Sequence, residues 1–177
     1  MDAKQYCEEH WIDKKVWTHL SWPKHQERLR LCAEKMIGEK FLDVGCACGH
    51  STDIMRGFKN GIWSGLDFSA KAIEMAKEFF PNISFYYAPD YEMKNLIGEF
   101  DSVVCSEVIE HVPDDKLFVK KVLEITKNVL VLSTPNLRVN DPGHLRVYTE
   151  ELLHQLCEPY QHEIISYGKF FYLIIKK

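Results

Sequence analysis

A glycine loop with a carboxylate ahead of it is the most informative group of residues in this sequence. The stretch Phe41–His50 reads FLDVGCACGH, follows a short apolar run and opens a helical pattern. Gly45 lets the backbone turn sharply and lets a ligand approach closely. Because the loop joins a predicted strand to a predicted helix, its context is that of a nucleotide-cofactor site.

A second carboxylate ends the next apolar run. Asp67 lies in Gly65–Ser69 (GLDFS), 22 residues after Gly45. A carboxylate at the end of a second parallel strand can accept hydrogen bonds from both hydroxyls of a ribose. The glycine loop and Asp67 together therefore predict a ligand that contains a nucleoside.

The chemistry of the loop separates two cofactors. A dinucleotide needs Gly-x-Gly-x-x-Gly so that its pyrophosphate meets the helix N-terminus, but Ala47 and His50 occupy the second and third glycine positions. Asp43 near the loop repels a pyrophosphate and suits a ligand that carries an ammonium or a sulfonium group. S-adenosylmethionine (SAM) has both groups and a ribose, so the residues favour SAM over NAD.

These motifs resemble those of the class I SAM-dependent methyltransferases, and the resemblance covers nearly the whole chain from Lys40. The first motif of that family is Asp/Glu-x-Gly-x-Gly-x-Gly. This chain matches it at Asp43, Gly45 and Gly49 and departs from it at Ala47. The resemblance implies that SAM is the cofactor.

The same resemblance assigns the cofactor contacts. It implies that Asp43 and the loop backbone, Cys46 and Ala47 included, face the methionine part, that Asp67 holds the ribose, and that Phe68 packs near the adenine. Ser106 and Glu107, at the end of the fourth strand, are expected beside the cofactor. Asp90 is the candidate for the adenine amino group, although Pro89 stands where the family's acidic residue usually lies.

The segment after the fourth predicted strand carries candidate catalytic groups. Glu107, Glu110 and His111 are spaced i, i+3 and i+4, so a single helical turn would place all three on one face. His111 is a candidate general base, since imidazole titrates near neutral pH. Glu107 and Glu110 are candidate catalytic residues beside it.

A subset of the family resembles this chain in three features: the Glu-x-x-Glu-His pattern, a Thr-Pro-Asn after the fifth strand, and the later His144. The subset includes ubiquinone-type O-methyltransferases and small-RNA 2′-O-methyltransferases. In the latter, two Glu and two His hold a divalent metal, and Glu107, Glu110, His111 and His144 match those positions. The resemblance implies a possible Mg, Mn or Zn site that would activate an acceptor hydroxyl. Catalysis by His111 without metal is the alternative.

The elements that position these residues alternate strand and helix from Lys40 onward. Strands are predicted at 40–45, 61–66, 83–88, 101–106 and 128–133, with helices at 51–58, 69–80, 114–126 and 149–157, and a terminal hairpin at 163–166 and 169–176. This order predicts an α/β fold, a Rossmann-like three-layer sandwich on a mostly parallel seven-stranded sheet with a C-terminal antiparallel hairpin strand. Ligands of such sheets lie at the carboxyl ends of the strands.

The 177 residues suit one ordinary domain. We expect the methyltransferase domain at 40–177, with residues 1–39 forming a helical cap or lid that contains Trp11, Trp17 and Trp22. No run of about 20 apolar residues is present and the first residues lack the apolar core of a secretory signal, so we expect a cytoplasmic protein without membrane contact. The net charge of −4 gives no general attraction to nucleic acid.

The sequence therefore predicts a SAM-dependent methyltransferase acting on an O or N nucleophile of a small molecule. The alternatives are a metal-dependent RNA-end 2′-O-methyltransferase, for which the chain is small and acidic, and a non-catalytic SAM-binding module. An NAD-dependent oxidoreductase is disfavoured by the missing glycines. The sequence does not specify the acceptor or the oligomeric state.

Overall fold

The elements of the fold follow the predicted alternation of strands and helices. The structure, a computed structural model, describes residues 17–93, 98–138 and 141–177, apart from the side chain of Asp90. The helices among these residues are α1 (Pro23–Lys35), α2 (His50–Phe58), α3 (Ala70–Phe79), α4 (Asp115–Glu124) and α5 (Glu150–Cys157). The strands are β1 (Lys40–Val44), β2 (Ile62–Asp67), β3 (Ser84–Tyr87), β4 (Phe100–Ser106), β5 (Thr126–Pro135), β6 (Gln161–Tyr167) and β7 (Phe170–Lys176). Short 3₁₀ turns lie at Thr18–Ser21, Pro89–Tyr91 and Ile109–His111.

The seven strands form one sheet in the order β3-β2-β1-β4-β5-β7-β6. The first five strands of this order pair in parallel, whereas β7 is antiparallel to both β5 and β6. The predicted Rossmann-like sheet with a terminal hairpin is confirmed. The strand order reverses between β1 and β4: strands β1 to β3 extend to one side of this point, and β4 and β5 extend to the other. At such a topological switch point the carboxyl ends of the two neighbouring strands form a ligand crevice.

Helices cover both faces of the sheet, with one large apolar cluster on each face and a smaller one beneath α3. On one face, α1 and α2 supply Leu29 and Met55, which cluster with Phe41 of β1 and Val104 of β4. On the other face, α4 and α5 pack over the alternate strand residues, Leu42 among them. Successive strand residues point to opposite faces, so a parallel sheet covered on both sides needs apolar residues at nearly every position.

Helix α1 belongs to the same core as the sheet. Its residues Leu29, Cys32 and Ala33 have no exposed surface. This packing fixes one end of the helix over the carboxyl edge of β4. The separate cap or lid role expected for residues 1–39 stays a prediction, and Trp11 lies outside the described residues.

Two of the helices begin next to a capping hydroxyl. The Ser69 hydroxyl accepts a hydrogen bond from the Ala72 amide, and the Thr149 hydroxyl accepts one from the Leu152 amide. The start of β5 differs from the prediction, because Thr126 already pairs with Phe100 and is fully buried. A lysine and an asparagine follow Thr126, and because both are polar the sequence pattern does not predict these first residues as part of the strand.

The structure offers no helix, among the residues it describes, that is long and apolar enough to cross a bilayer.

Candidate active site

A cavity opens at the carboxyl ends of β1, β2 and β4, at the edge of the sheet where ligands of parallel sheets bind. Five segments line it: the first 3₁₀ turn with α1, the glycine loop, the junction of β2 and α3, the second 3₁₀ turn, and the end of β4 with the turn that follows it. The predicted cofactor residues Gly45, Cys46, Ala47, Asp67, Phe68, Ser106 and Glu107 all line it.

The glycine loop adopts the left-handed backbone that its sequence suggests. Gly45 has φ 81° and Gly49, which precedes α2, has φ 83°. A Cβ on Gly45 would collide with the Val108 side chain. Ala47, which stands in the middle glycine position of the motif, also has a positive φ, 45°. The loop therefore keeps the shape of the motif even where the glycine is missing.

Asp67 is held in a fixed orientation at the end of β2. One carboxylate oxygen accepts a hydrogen bond from the Ala47 amide at 2.9 Å, and the other accepts from the Ser69 amide at 2.8 Å. Burial raises the pKa of this carboxyl to about 6, against the opposing effect of the two amides. Each oxygen keeps a lone pair for a ligand donor.

Asp43 has a different place from the one the resemblance implied. Its carboxylate lies beneath the loop, 1% exposed, and accepts hydrogen bonds from the hydroxyls of Ser51 and Thr52, both at 2.8 Å. It does not line the described cavity. Burial raises the pKa of Asp43 to about 6. Asp43 thus ties β1 to the start of α2, and the loop residues that line the cavity lie above it.

Aromatic rings flank Asp67 on the β2 side of the cavity. Phe68 and Tyr91 meet edge to face with ring centroids 5.7 Å apart, and both line the cavity. This apolar, partly open position suits a flat heterocycle. The side chain of Asp90, predicted to contact the adenine amino group, lies outside what the structure describes.

Trp17 covers the cavity from the N-terminal side. Its ring stacks on His50 with centroids 4.4 Å apart and meets Phe79 edge to face. Burial lowers the pKa of His50, so this imidazole is neutral at physiological pH. The covering role of the N-terminal tryptophans stays a prediction: Trp17 lines the cavity, whereas Trp22 does not.

Arg28 is the site residue that the sequence did not reveal. It is 2% exposed, lies over the Phe170 ring and forms an ion pair with Glu107. Its Nε has no hydrogen-bond partner among the described residues. The sequence feature that could have predicted its burial is the helical spacing, because Arg28 lies three residues after His25 and four before Cys32, on the buried face of α1. A guanidinium on a buried stripe indicates a site for an anion or a carboxylate.

Glu107 and Glu110 do not share a face as the helical-turn prediction required. Only Ile109–His111 form a 3₁₀ turn, and Glu107 before it has φ 57°. This left-handed residue turns the Glu107 carboxylate toward Arg28 of α1. The predicted four-ligand metal set is therefore split, and Glu107 is not part of the group that contains Glu110.

Glu110, His111 and His144 do converge. One ligand atom from each lies within 4.8 Å of the others. Glu110 is 1% exposed, one of its oxygens accepts from the Thr134 hydroxyl at 3.2 Å, and the other is unpaired among the described residues. Burial raises the pKa of Glu110 to about 7. His111 Nδ1 contacts the Gly143 carbonyl at 2.9 Å, which directs the opposite ring nitrogen.

Arg146 and Tyr148 hold this turn in place. The Arg146 guanidinium donates to the carbonyls of Ile109, Val112 and Pro113 at 3.1, 2.6 and 2.7 Å. The Tyr148 hydroxyl donates to Asp115 at 2.7 Å. Since these bonds satisfy the carbonyls of the 3₁₀ turn, Arg146 orients Glu110 and His111 instead of facing a ligand.

Comparison with known proteins agrees with this geometry. Residues 36–168 match the model of the methyltransferase domain family. Over 129 residues the chain is 30% identical to a ubiquinone biosynthesis O-methyltransferase of Haemophilus ducreyi, which covers 67% of this chain and 54% of that protein. A protein of the same name from Thiobacillus denitrificans is 39% identical over 85 residues, 45% of this chain and 36% of that protein. The chain thus spans between a third and about half of the length of these relatives.

Solved structures with little sequence identity share the fold. An N-methyltransferase from Bradyrhizobium japonicum, in complex with S-adenosyl-L-homocysteine, has a TM-score of 0.78 at 16% identity and matches 100% of this chain and 99% of its own. A magnesium protoporphyrin IX methyltransferase from Synechocystis with bound SAM has a TM-score of 0.69 at 15% identity, over 99% and 96% of the two chains. The chain belongs to the class I SAM-dependent methyltransferase family.

Proposed function

We propose that this protein binds SAM in the described cavity and transfers its methyl group to a hydroxyl of a small aromatic molecule. The observation that carries the proposal is the fixed carboxylate of Asp67, whose two oxygens are aligned by the amides of Ala47 and Ser69 beside a left-handed glycine loop. Such a carboxylate fits the paired hydroxyls of a ribose. Family membership supports the choice of SAM over other nucleosides.

The residues around Asp67 give the cofactor a direction. Phe68 and Tyr91 offer an apolar surface for an adenine on one side. Arg28 and Glu107 lie on the β4 side, where a guanidinium can bind the carboxylate of a methionine moiety and a carboxylate can accept from its ammonium group. The unpaired Nε of Arg28 supports this assignment, because a buried donor without a partner is destabilising until a ligand provides one.

The acceptor side of the cavity is small and partly aromatic. Trp17, His19 and Leu20 cover it, and His111 lies on the opposite wall. SAM supplies an activated methyl group, so the chain has to align the acceptor oxygen and accept its proton. We assign this proton to His111, and the contact between its Nδ1 and the Gly143 carbonyl supports the assignment because it orients the ring. The names of the curated relatives, ubiquinone biosynthesis O-methyltransferases, support an oxygen nucleophile on a ring.

A divalent metal at Glu110, His111 and His144 is a second way to activate the hydroxyl. Three of the four predicted ligands converge, and the unpaired oxygen of Glu110 fits a cation. The Thr134 and Gly143 contacts orient the Glu110 and His111 side chains in the manner of outer-shell partners of a metal. A bound cation would lower the pKa of a coordinated hydroxyl. The RNA-end alternative is less supported, since a net charge of −4 does not favour phosphate contacts.

The proposal is tested by methyl transfer from SAM to a panel of catechols, hydroquinones and simple amines, followed by mass spectrometry. We expect O-methylated catechol or hydroquinone products and none from the amines. Asp67→Asn should abolish turnover, whereas the matched control Asp53→Asn removes an exposed carboxylate paired with Arg56 and should not. Normal turnover in Asp67→Asn would refute the ribose assignment.

The role of metal is tested with the same assay after chelation and addition of Mg²⁺, Mn²⁺ or Zn²⁺. If a cation binds at this set, His144→Gln removes the metal response while SAM binding is kept. If activity is independent of metal in the wild type, His111→Gln alone should lower kcat while the affinity for SAM is kept.

A further inference from the structure

A second group of metal-ligating side chains lies on the other side of the same cavity. His19 of the first 3₁₀ turn, His25 of α1 and Glu107 at the end of β4 place one ligand atom each within 4.8 Å of one another. His19 and Glu107 also line the cavity. We propose that His19, His25 and Glu107 form a binding site for a zinc-class divalent cation, separate from the Glu110, His111 and His144 group.

The environment of His25 is the independent observation that points to a ligand. Its side chain is 7% exposed, and Nδ1 is buried without a hydrogen-bond partner among the described residues. The ring lies between the imidazole of His19, with centroids 4.6 Å apart, and the Phe170 ring at 5.9 Å. An unpaired imidazole nitrogen in such a place is destabilising, and a bound cation would offset that loss.

The donor set selects the kind of cation. Two imidazoles and one carboxylate suit Zn²⁺ and other borderline transition metals, whereas Mg²⁺ and Ca²⁺ prefer oxygen ligands. Coordination at about 2.0–2.2 Å places ligand atoms roughly 3–4 Å apart. The observed grouping within 4.8 Å reaches that spacing with small side-chain rotations.

The charges around the site leave room for a cation. Arg28 occupies one carboxylate oxygen of Glu107, so the second oxygen can bind a metal or, in the proposed function, accept from the ammonium group of SAM. Buried Asp43 and Glu110 also act on Arg28, whereas Arg28 and Lys24 act on His25 as positive charges. The half-buried carboxylate of Glu107 therefore supplies the negative charge that a cation needs at this place.

The site has a consequence for the N-terminal cover of the cavity. His19 and His25 come from the segment before β1, whereas Glu107 belongs to the sheet. A shared cation would hold the first 3₁₀ turn against the end of β4 and leave coordination positions open toward the cavity. If the proposed function is correct, an acceptor oxygen can occupy one of them; cation binding itself does not depend on that function.

The experiment is calorimetric titration of metal-free protein with ZnCl₂, with and without excess Mg²⁺. We expect a bound zinc equivalent that Mg²⁺ does not displace and that His19→Gln or His25→Gln either removes or weakens by at least about tenfold. His19 lies on a short surface turn, so its variant tests the site even if His25→Gln fails to fold. Binding of S-adenosylhomocysteine in each variant reports folding and, separately, the cofactor claim.

Two control variants separate this site from other imidazoles. His144→Gln disrupts the Glu110 group, and His154→Gln disrupts the exposed pair in which His154 and His162 are 2.8 Å apart. Both should keep the zinc equivalent that His19→Gln removes. The proposal is overturned if the wild type binds no zinc, if zinc binding is unchanged in His19→Gln, or if it is lost only with His144 or His154.

Discussion

Replacing Ala47 with glycine should stabilise the protein. Ala47 has φ 45°, a left-handed conformation that an L-residue with a Cβ adopts at a penalty of about 1–2 kcal/mol. Glycine removes that penalty but adds about 0.5–1 kcal/mol of chain entropy that folding must overcome. The midpoints of these two ranges leave a net gain of about 0.75 kcal/mol, and for a domain of this size it corresponds to a rise in Tm of roughly 1.5–3 °C.

The assay is thermal unfolding of the wild type and Ala47→Gly without ligand. The control is Ala70→Gly, the same chemical change at the exposed first residue of α3, where the backbone is right-handed and glycine should lower Tm. The Ala47 amide that binds Asp67 belongs to the backbone and is kept, so affinity for S-adenosylhomocysteine should be unchanged or higher. A fall in Tm for Ala47→Gly comparable with that of Ala70→Gly would refute the strained-loop argument.

Three further predictions concern the cofactor and the turn after β4. Burial raises the pKa of Asp67 to about 6, and the protonated acid loses acceptor capacity, so affinity for S-adenosylhomocysteine should be constant above about pH 7 and fall by up to tenfold per pH unit well below 6. Titrations of the Asp43→Asn variant should show the same fall. If the fall persists in Asp67→Asn, Asp67 is not the group responsible. Arg28→Met should weaken binding of S-adenosylhomocysteine by about 10–100-fold through loss of a charge-assisted hydrogen bond, while the exposed change Arg30→Met should not. If the two variants bind S-adenosylhomocysteine equally well, Arg28 does not contact the cofactor. Arg146→Lys removes hydrogen bonds to three carbonyls between residues 109 and 113 and should lower Tm by about 2–6 °C. The matched change at an exposed position, Arg138→Lys, should leave Tm unchanged. A similar Tm in both variants would show that Arg146 does not stabilise this turn.

Local signals in the sequence were sufficient for much of the fold and the cofactor loop. Ser69 and Thr149 were predictable as helix caps because a hydroxyl precedes an amphipathic run in each case. Gly45 and Asp67 follow apolar runs that are buried on both faces of a parallel sheet. These features depend on residues close in sequence, which is why their pattern is readable without a structure.

The arrangement of the acidic residues depends on contacts between distant segments and was not predictable in the same way. Spacing alone placed Glu107 beside Glu110, but a left-handed residue at 107 and Arg28 from α1 separate the two carboxylates. Asp43 was assigned to the ligand because it belongs to the motif, whereas its partners Ser51 and Thr52 lie under the loop. Arg28 and Glu107 are 79 positions apart in the sequence, and their ion pair sets the direction of the Glu107 carboxylate at the cavity. Spacing within one segment cannot predict a contact of this kind.

The most direct test of the central claim is calorimetric titration of the protein with S-adenosylhomocysteine at pH 7.5 and, separately, with NAD. The account predicts one equivalent of S-adenosylhomocysteine bound by the wild type and by Asp53→Asn, strongly weakened binding in Asp67→Asn, and no heat from NAD. A folded wild type that fails to bind S-adenosylhomocysteine, or an Asp67→Asn variant that binds it as tightly as the wild type, would contradict the assignment of this cavity to SAM.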